Sequence, residues 1–133
     1  RLGLPRADIE QQVLRAFFNV VGRNCDDHVK NIAFLMDRRG EWSLSPAFDA
    51  SYALNPAGEW TSRHQMSING KREAFGREDL LALATAAGIK MPQANQMLDR
   101  VIATVRRWPE FAETAGVPGE RIDAIGRRQL VQL

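Results

Sequence analysis

Asp26, Asp27, His28, Lys30 and Asn31 fall within one ten-residue stretch, GRNCDDHVKN, residues 22–31. A carboxylate there can take a proton, an imidazole can orient or shuttle one, and an ammonium can neutralise anionic oxygens. A carboxylate and an amide oxygen are also hard ligands suited to magnesium. Apolar runs, AFFNVV before and IAFLM after, flank the polar stretch. A polar loop held between two segments of core composition is where proteins concentrate chemistry. Its spacing is informative, because Asp26 and Asn31 stand five residues apart and a further acid, Asp49, follows Phe48 in SPAFDAS. One base and two oxygen ligands, converging from the ends of a hairpin, suit phosphoryl transfer. That reaction asks a protein to position phosphates, offset their charge and orient the attacking oxygen.

The elements that must hold these residues are mostly helical. In ADIEQQVLRAFFNVVG, Ile9, Val13, Ala16, Phe17 and Val20 share one helical face. Asp8 and Gln11 have capping-box spacing there, and Gly22 is the expected stop. NIAFLMDRRGEWSLSP reads as two strands around a turn at Arg38 to Gly40. Ile32, Phe34 and Met36 share one face of that hairpin, as do Trp42 and Leu44. HQMSI is a short candidate strand before the Asn69-Gly70 turn signal. REDLLALATAAG is a helix stopping at Gly88, and PQANQMLDRVIATVRRW is a strongly periodic one that Pro109 is expected to end. PEFAETAG is expected as a turn, with a last helix from about Pro118. The fold class is therefore mainly α with a small β-hairpin, and residues 1–133 read as a single domain.

Composition narrows the classes. At 133 residues, 44% hydrophobic and 26% charged, the chain can bury a real core. A net charge of +2 with scattered basic residues lacks the density of a nucleic-acid footprint. Cys25 is the sole cysteine, which excludes an intrachain disulfide and points to a reducing, cytoplasmic setting. No apolar run approaches the roughly 20 residues a membrane span needs, so no membrane partner is expected. Arg1 in place of an initiating Met leads to the expectation of a fragment of a longer protein.

The ordered motifs NCDDHVKN and SPAFDAS, with the later HQMSING, resemble the HipA family of bacterial serine/threonine kinases, toxins of HipA–HipB toxin–antitoxin systems. Protein kinases also run from a catalytic Asp to a metal-binding Asn five positions later, then through a hairpin to a second metal-binding Asp. The resemblance implies the C-terminal lobe of a phosphoinositide-3-kinase-like protein-kinase fold, using ATP and Mg2+. By position, Asp26 matches the catalytic base, and Asn31 and Asp49 match the magnesium ligands. Lys30 is placed near the transferred phosphate, and His28 orients the loop. The resemblance further implies an N-terminal kinase lobe, because this chain holds no Gly-rich phosphate loop. It implies as partners a HipB-like helix-turn-helix antitoxin, with DNA contacted only through it, and a protein substrate such as an aminoacyl-tRNA synthetase.

Two other classes compete. Asp26, Asp27, His28 and Asp49 could instead form a metal-dependent phosphoesterase site, and the chain could be a non-catalytic domain that contacts the antitoxin. Register separates the two acids: Asp26 has the kinase spacing, whereas Asp27 is expected to face away, so that Asp27→Ala costs roughly tenfold or less in rate. His64, in the polar run TSRHQ, reads as a surface residue. Trp42, Trp60 and Trp108 read as packing residues, as do Met91 and Met97, and Asn24 as a residue that shapes its own turn.

Overall fold

A computed structural model describes residues 2–133. Five helices and one two-stranded antiparallel sheet follow in the order α1 (Arg6–Gly22), β1 (Phe34–Met36), β2 (Trp42–Leu44), α2 (Arg77–Ala86), α3 (Met91–Arg106), α4 (Trp108–Thr114) and α5 (Gly119–Gly126). The protein is mainly helical with one hairpin, as the periodicity implies.

The core forms where the apolar stripes of three helices meet. Val13, Phe17, Val20 and Val21 of α1 are buried with Leu80 and Ala84 of α2 and with Ala94, Leu98, Val101 and Ile102 of α3. The apolar spacing in α3 follows the helical period, so its whole inward stripe is buried and α1 packs along it. Phe17 is fully buried at this junction. Phe17→Ala should therefore cost about 3–5 kcal/mol in chemical denaturation. Arg38→Ala, on the exposed hairpin turn, should stay within about 0.5 kcal/mol.

The N-terminal end of α1 is set differently from the expectation. Its N-terminal cap is Pro5, without a side-chain cap, and Asp8 makes no capping box. Asp8 Oδ2 instead accepts the Leu44 N–H at 2.7 Å, a long-range bond to β2. Arg15 Nη2 adds a second tie, donating to the Ser45 carbonyl at 2.6 Å. The helix therefore fixes the return strand of the hairpin, and with it the approach to Asp49. The stop expected at Gly22 holds: Gly22 is the last residue of α1, and Arg23 caps it in the left-handed region with φ 62°.

In the hairpin Phe34 faces Leu44 and Met36 faces Trp42. Directly opposed residues share a face, so the expected apolar face exists. It is open among the described residues, with Phe34 37%, Met36 59% and Trp42 37% exposed. Asp37 shapes the turn, its Oδ1 accepting from the N–H groups of Arg39 at 2.8 Å and Glu41 at 2.9 Å.

Four other expectations change. HQMSI forms no strand; a single bridge joins Ile68 and Lys71 around Asn69 and Gly70, which both take positive φ. Pro109 sits in the first turn of α4, where a missing N–H costs nothing, so PEFAETAG is helical rather than a turn. Trp60 is 69% exposed and Met91 49%, so neither is a packing residue, whereas Met97 is buried. Trp108 is half-buried, and its indole Nε1 donates to the Ile122 carbonyl at 3.0 Å, joining α4 to α5.

The loop before α2 is pinned by a buried acid. Asp79 receives Lys71 Nζ, Asn69 Nδ2 and the Gly76 N–H, each at 2.8 Å. The hydrogen bond from Lys71, backed by Asn69 and Gly76, lowers its carboxyl from 3.8 to about 2. A carboxyl lowered by folding stabilises the native state above its unfolded value. That contribution is lost as pH falls from 3.8 toward about 2. Thermal melts should show the transition temperature dropping across that window, with a shallower drop in Asp79→Asn.

Candidate functional site

The polar loop leaves α1 at Arg23 and is stitched to the segment after the hairpin. The Arg23 carbonyl accepts the Ala53 N–H at 3.1 Å. Asn24 is buried, and its Nδ2 bridges Asn19 Oδ1 and the Asp49 carbonyl, both at 3.1 Å. That bridge holds the main chain at Asp49, which takes φ 54°. An acid tolerates this region better than most residues do. Asn24 thus does more than shape its own turn.

Asn31 closes the site. It ends a 3-10 turn spanning Val29–Asn31. Its Nδ2 donates to the Asp26 carbonyl at 2.9 Å and to Asp49 Oδ2 at 3.1 Å. One amide therefore gathers both ends of the motif, residues 26 and 49, although 23 positions separate them. It is the nitrogen end of the Asn31 amide that meets the Asp49 carboxylate; the same group also carries an oxygen, Oδ1. An amide oxygen and an exposed carboxylate fit the hard-oxygen preference of magnesium.

The two adjacent acids part company. The Asp26 side chain is 45% exposed. Its Oδ1 stands 3.7 Å from His28 Nε2, too far for a hydrogen bond. Asp27 turns inward and its side chain is fully buried. Oδ1 accepts the N–H groups of Gln65 at 2.7 Å and Met66 at 3.2 Å, while Oδ2 meets His64 Nδ1 at 2.6 Å. His64 is fully buried as well, which corrects its assignment to the surface. Removing the Asp27 carboxylate would strand buried donors, at on the order of 3 kcal/mol.

Lys30 is exposed, and His28 is half-buried with an Nδ1 that has no partner among the described residues. His28, Asn31 and Asp49 line a cleft of about 640 Å³ between α1, the polar loop and α3, with Phe18, Ile32 and Phe48 as apolar walls. Asp26 and Lys30 lie outside its wall. Cys25 is buried, and burial pushes its thiol up, away from nucleophilic chemistry. Among the described residues, no three His, Cys, Asp or Glu side chains gather in a metal-holding group. Nor is any helix there long and apolar enough to cross a membrane.

The residues that spacing alone leaves out are Asn24, Asp27 and His64. A signal for His64 exists in hindsight: His64, Met66 and Ile68 alternate, and both His64 and Ile68 are buried.

No curated protein and no solved structure matches this chain. A family profile does: the HipA-like C-terminal domain matches residues 1–109, from the start of the chain to the first turn of α4, and so spans α1, the polar loop, the hairpin and Asp49. With the site motif and the helical core both inside the matched span, the chain belongs to the HipA-like C-terminal domain family.

Proposed function

We propose that this chain is the catalytic lobe of a HipA-type serine/threonine protein kinase, with a protein-kinase-like lobe fold, acting as the toxin of a toxin–antitoxin pair. The observation that carries the proposal is the Asn31 amide, which reaches both the Asp26 carbonyl and the Asp49 carboxylate. It ties the main chain at residue 26 and the side chain of residue 49 to residue 31, the three positions to which this reading gives the base and the metal ligands.

The roles follow from exposure and donor chemistry. Asp26, with its carboxylate open to solvent, accepts the proton of a serine or threonine hydroxyl and orients that oxygen for attack. Asn31 and Asp49 offer oxygens to magnesium. Bound Mg2+–ATP supplies the transferable phosphoryl group and the positive charge that offsets its oxygens. Lys30, on the same loop, has an exposed ammonium that would offset the charge of phosphate oxygens. The His28 imidazole, expected to orient the loop, makes no hydrogen bond among the described residues and stands 3.7 Å from the Asp26 carboxylate, where it can bear on the base. Asp27, turned into the interior, is not available to a carboxylate-rich metal site, which disfavours the phosphoesterase alternative.

On the same reading the complete protein carries an N-terminal lobe that cradles the phosphates. It pairs with a helix-turn-helix antitoxin in the cytoplasm and touches DNA only through that partner. It phosphorylates a protein of the translation machinery, such as an aminoacyl-tRNA synthetase. Calorimetry with magnesium–ATP tests the two-lobe arrangement. The 133-residue chain, which lacks a Gly-rich loop, should bind only weakly and transfer no phosphate. Sub-micromolar affinity for the chain alone would contradict it.

A further inference from the structure

We infer that His64 is a positioning residue for the catalytic loop, acting through Asp27 as a buried clasp that sets where Asp26 points. The inference rests on the kinase assignment and extends it to a residue outside the motif.

The clasp has two jaws. One is Asp27, adjacent in the chain to Asp26. The other is the segment 64–66, which presents the His64 ring and the N–H groups of Gln65 and Met66 to the two Asp27 oxygens. That segment is itself rigidly mounted. The His64 N–H donates to the Arg72 carbonyl at 3.1 Å, and its carbonyl accepts Arg72 Nε at 2.7 Å. The His64 ring packs edge-on to buried Phe75, with centroids 5.3 Å apart. Displacement of Asp27 would thus break bonds to an element fixed in the core.

The pair is a costly way to gain stability alone. Both side chains are fully buried, and His64 Nε2 has no partner among the described residues. An apolar pair of the same volume would serve packing as well or better. What a carboxylate with three defined donors provides is direction. With Asp27 drawn inward, the neighbouring Asp26 side chain is turned out to solvent. The other end of the loop has its own restraint, because Asn31 is tied to Asp49. Loosening the clasp therefore acts on the base more than on the metal-ligand pair, and predicts a larger effect on kcat than on the KM for ATP.

The test uses the complete protein and four forms: wild type, His64→Leu, His64→Asn and Asp27→Ala. Asparagine can place an N–H close to where the imidazole Nδ1 stands, so it keeps the donor to Asp27, whereas leucine keeps volume and loses it. His64→Leu should lower kcat roughly 10- to 100-fold, as small misplacements of catalytic groups do, and Asp27→Ala at least as much, which raises the tenfold ceiling that register alone set for Asp27, because its carboxylate holds all three donors of the clasp. The KM of His64→Leu for magnesium–ATP should stay within about threefold, and His64→Asn should recover most of the loss. Hydrogen exchange should accelerate across residues 26–31 in His64→Leu and not in the amides of α3.

Equal kcat in wild type and His64→Leu, or exchange that rises everywhere including α3, would overturn the positioning role. So would failure of His64→Asn to recover activity. A wild-type protein that transfers no phosphate would overturn the kinase assignment, and the exchange comparison would still report whether the loop is clasped.

Discussion

Asp26→Ala in the complete protein is expected to slow phosphotransfer roughly 10²–10⁴-fold while changing affinity for magnesium–ATP by less than about twofold. The split follows from position. The Asp26 carboxylate is solvent-facing and makes no hydrogen bond within the loop, so its loss removes a proton acceptor without removing a support. The tie that Asn31 makes in this region is to the Asp26 backbone carbonyl, which alanine retains. Loop geometry should therefore survive the substitution, and thermal stability with it. Steady-state phosphotransfer, nucleotide calorimetry and a melting curve on the same preparation check all three expectations. A variant that loses nucleotide affinity in proportion to turnover would assign Asp26 a binding role instead.

Asp49→Ala should behave differently, lowering both turnover and magnesium–ATP affinity, each by at least roughly tenfold. Its carboxylate is the anionic partner of Asn31, and its loss leaves the Asn31 amide with only the Asp26 carbonyl to hold it. On the proposed reading, ligand and orienting contact go together. The main chain at residue 49 adds a smaller penalty, because φ 54° suits aspartate better than alanine. Asp49→Asn keeps that backbone tolerance and an oxygen ligand, so it should retain more affinity than Asp49→Ala. Titrating magnesium at fixed ATP for the two variants separates charge from conformation. Identical curves for Asp49→Ala and wild type would remove Asp49 from the metal site.

The helices were legible because their apolar residues recur at the helical period and burial along α1 and α3 obeys that period. The hairpin was legible from alternation and from its Arg38 to Gly40 turn. Errors came where a residue's partner is distant in sequence. Asp8 has capping-box spacing, yet the Leu44 N–H, 36 residues away, claims its carboxylate. His64 sits among polar neighbours, and only the fold brings it to Asp27, 37 residues earlier. Pro109 ends one helix by starting another, because proline breaks a helix interior but suits a first turn. Spacing placed Asp26, Asn31 and Asp49 on a common template. It could not show that Asn24 bridges two backbone segments, since that depends on how residues 47–53 return to the end of α1.

The most direct measurement is a crystal structure of the complete protein with magnesium and a non-hydrolysable ATP analogue. The account predicts a metal ion bonded to Asn31 Oδ1 and the Asp49 carboxylate, with the Asp26 carboxylate facing the terminal phosphate and Asp27 still paired with His64. A nucleotide bound elsewhere, or a metal held by Asp26, Asp27 and His28 with Asp49 apart from it, would contradict the account.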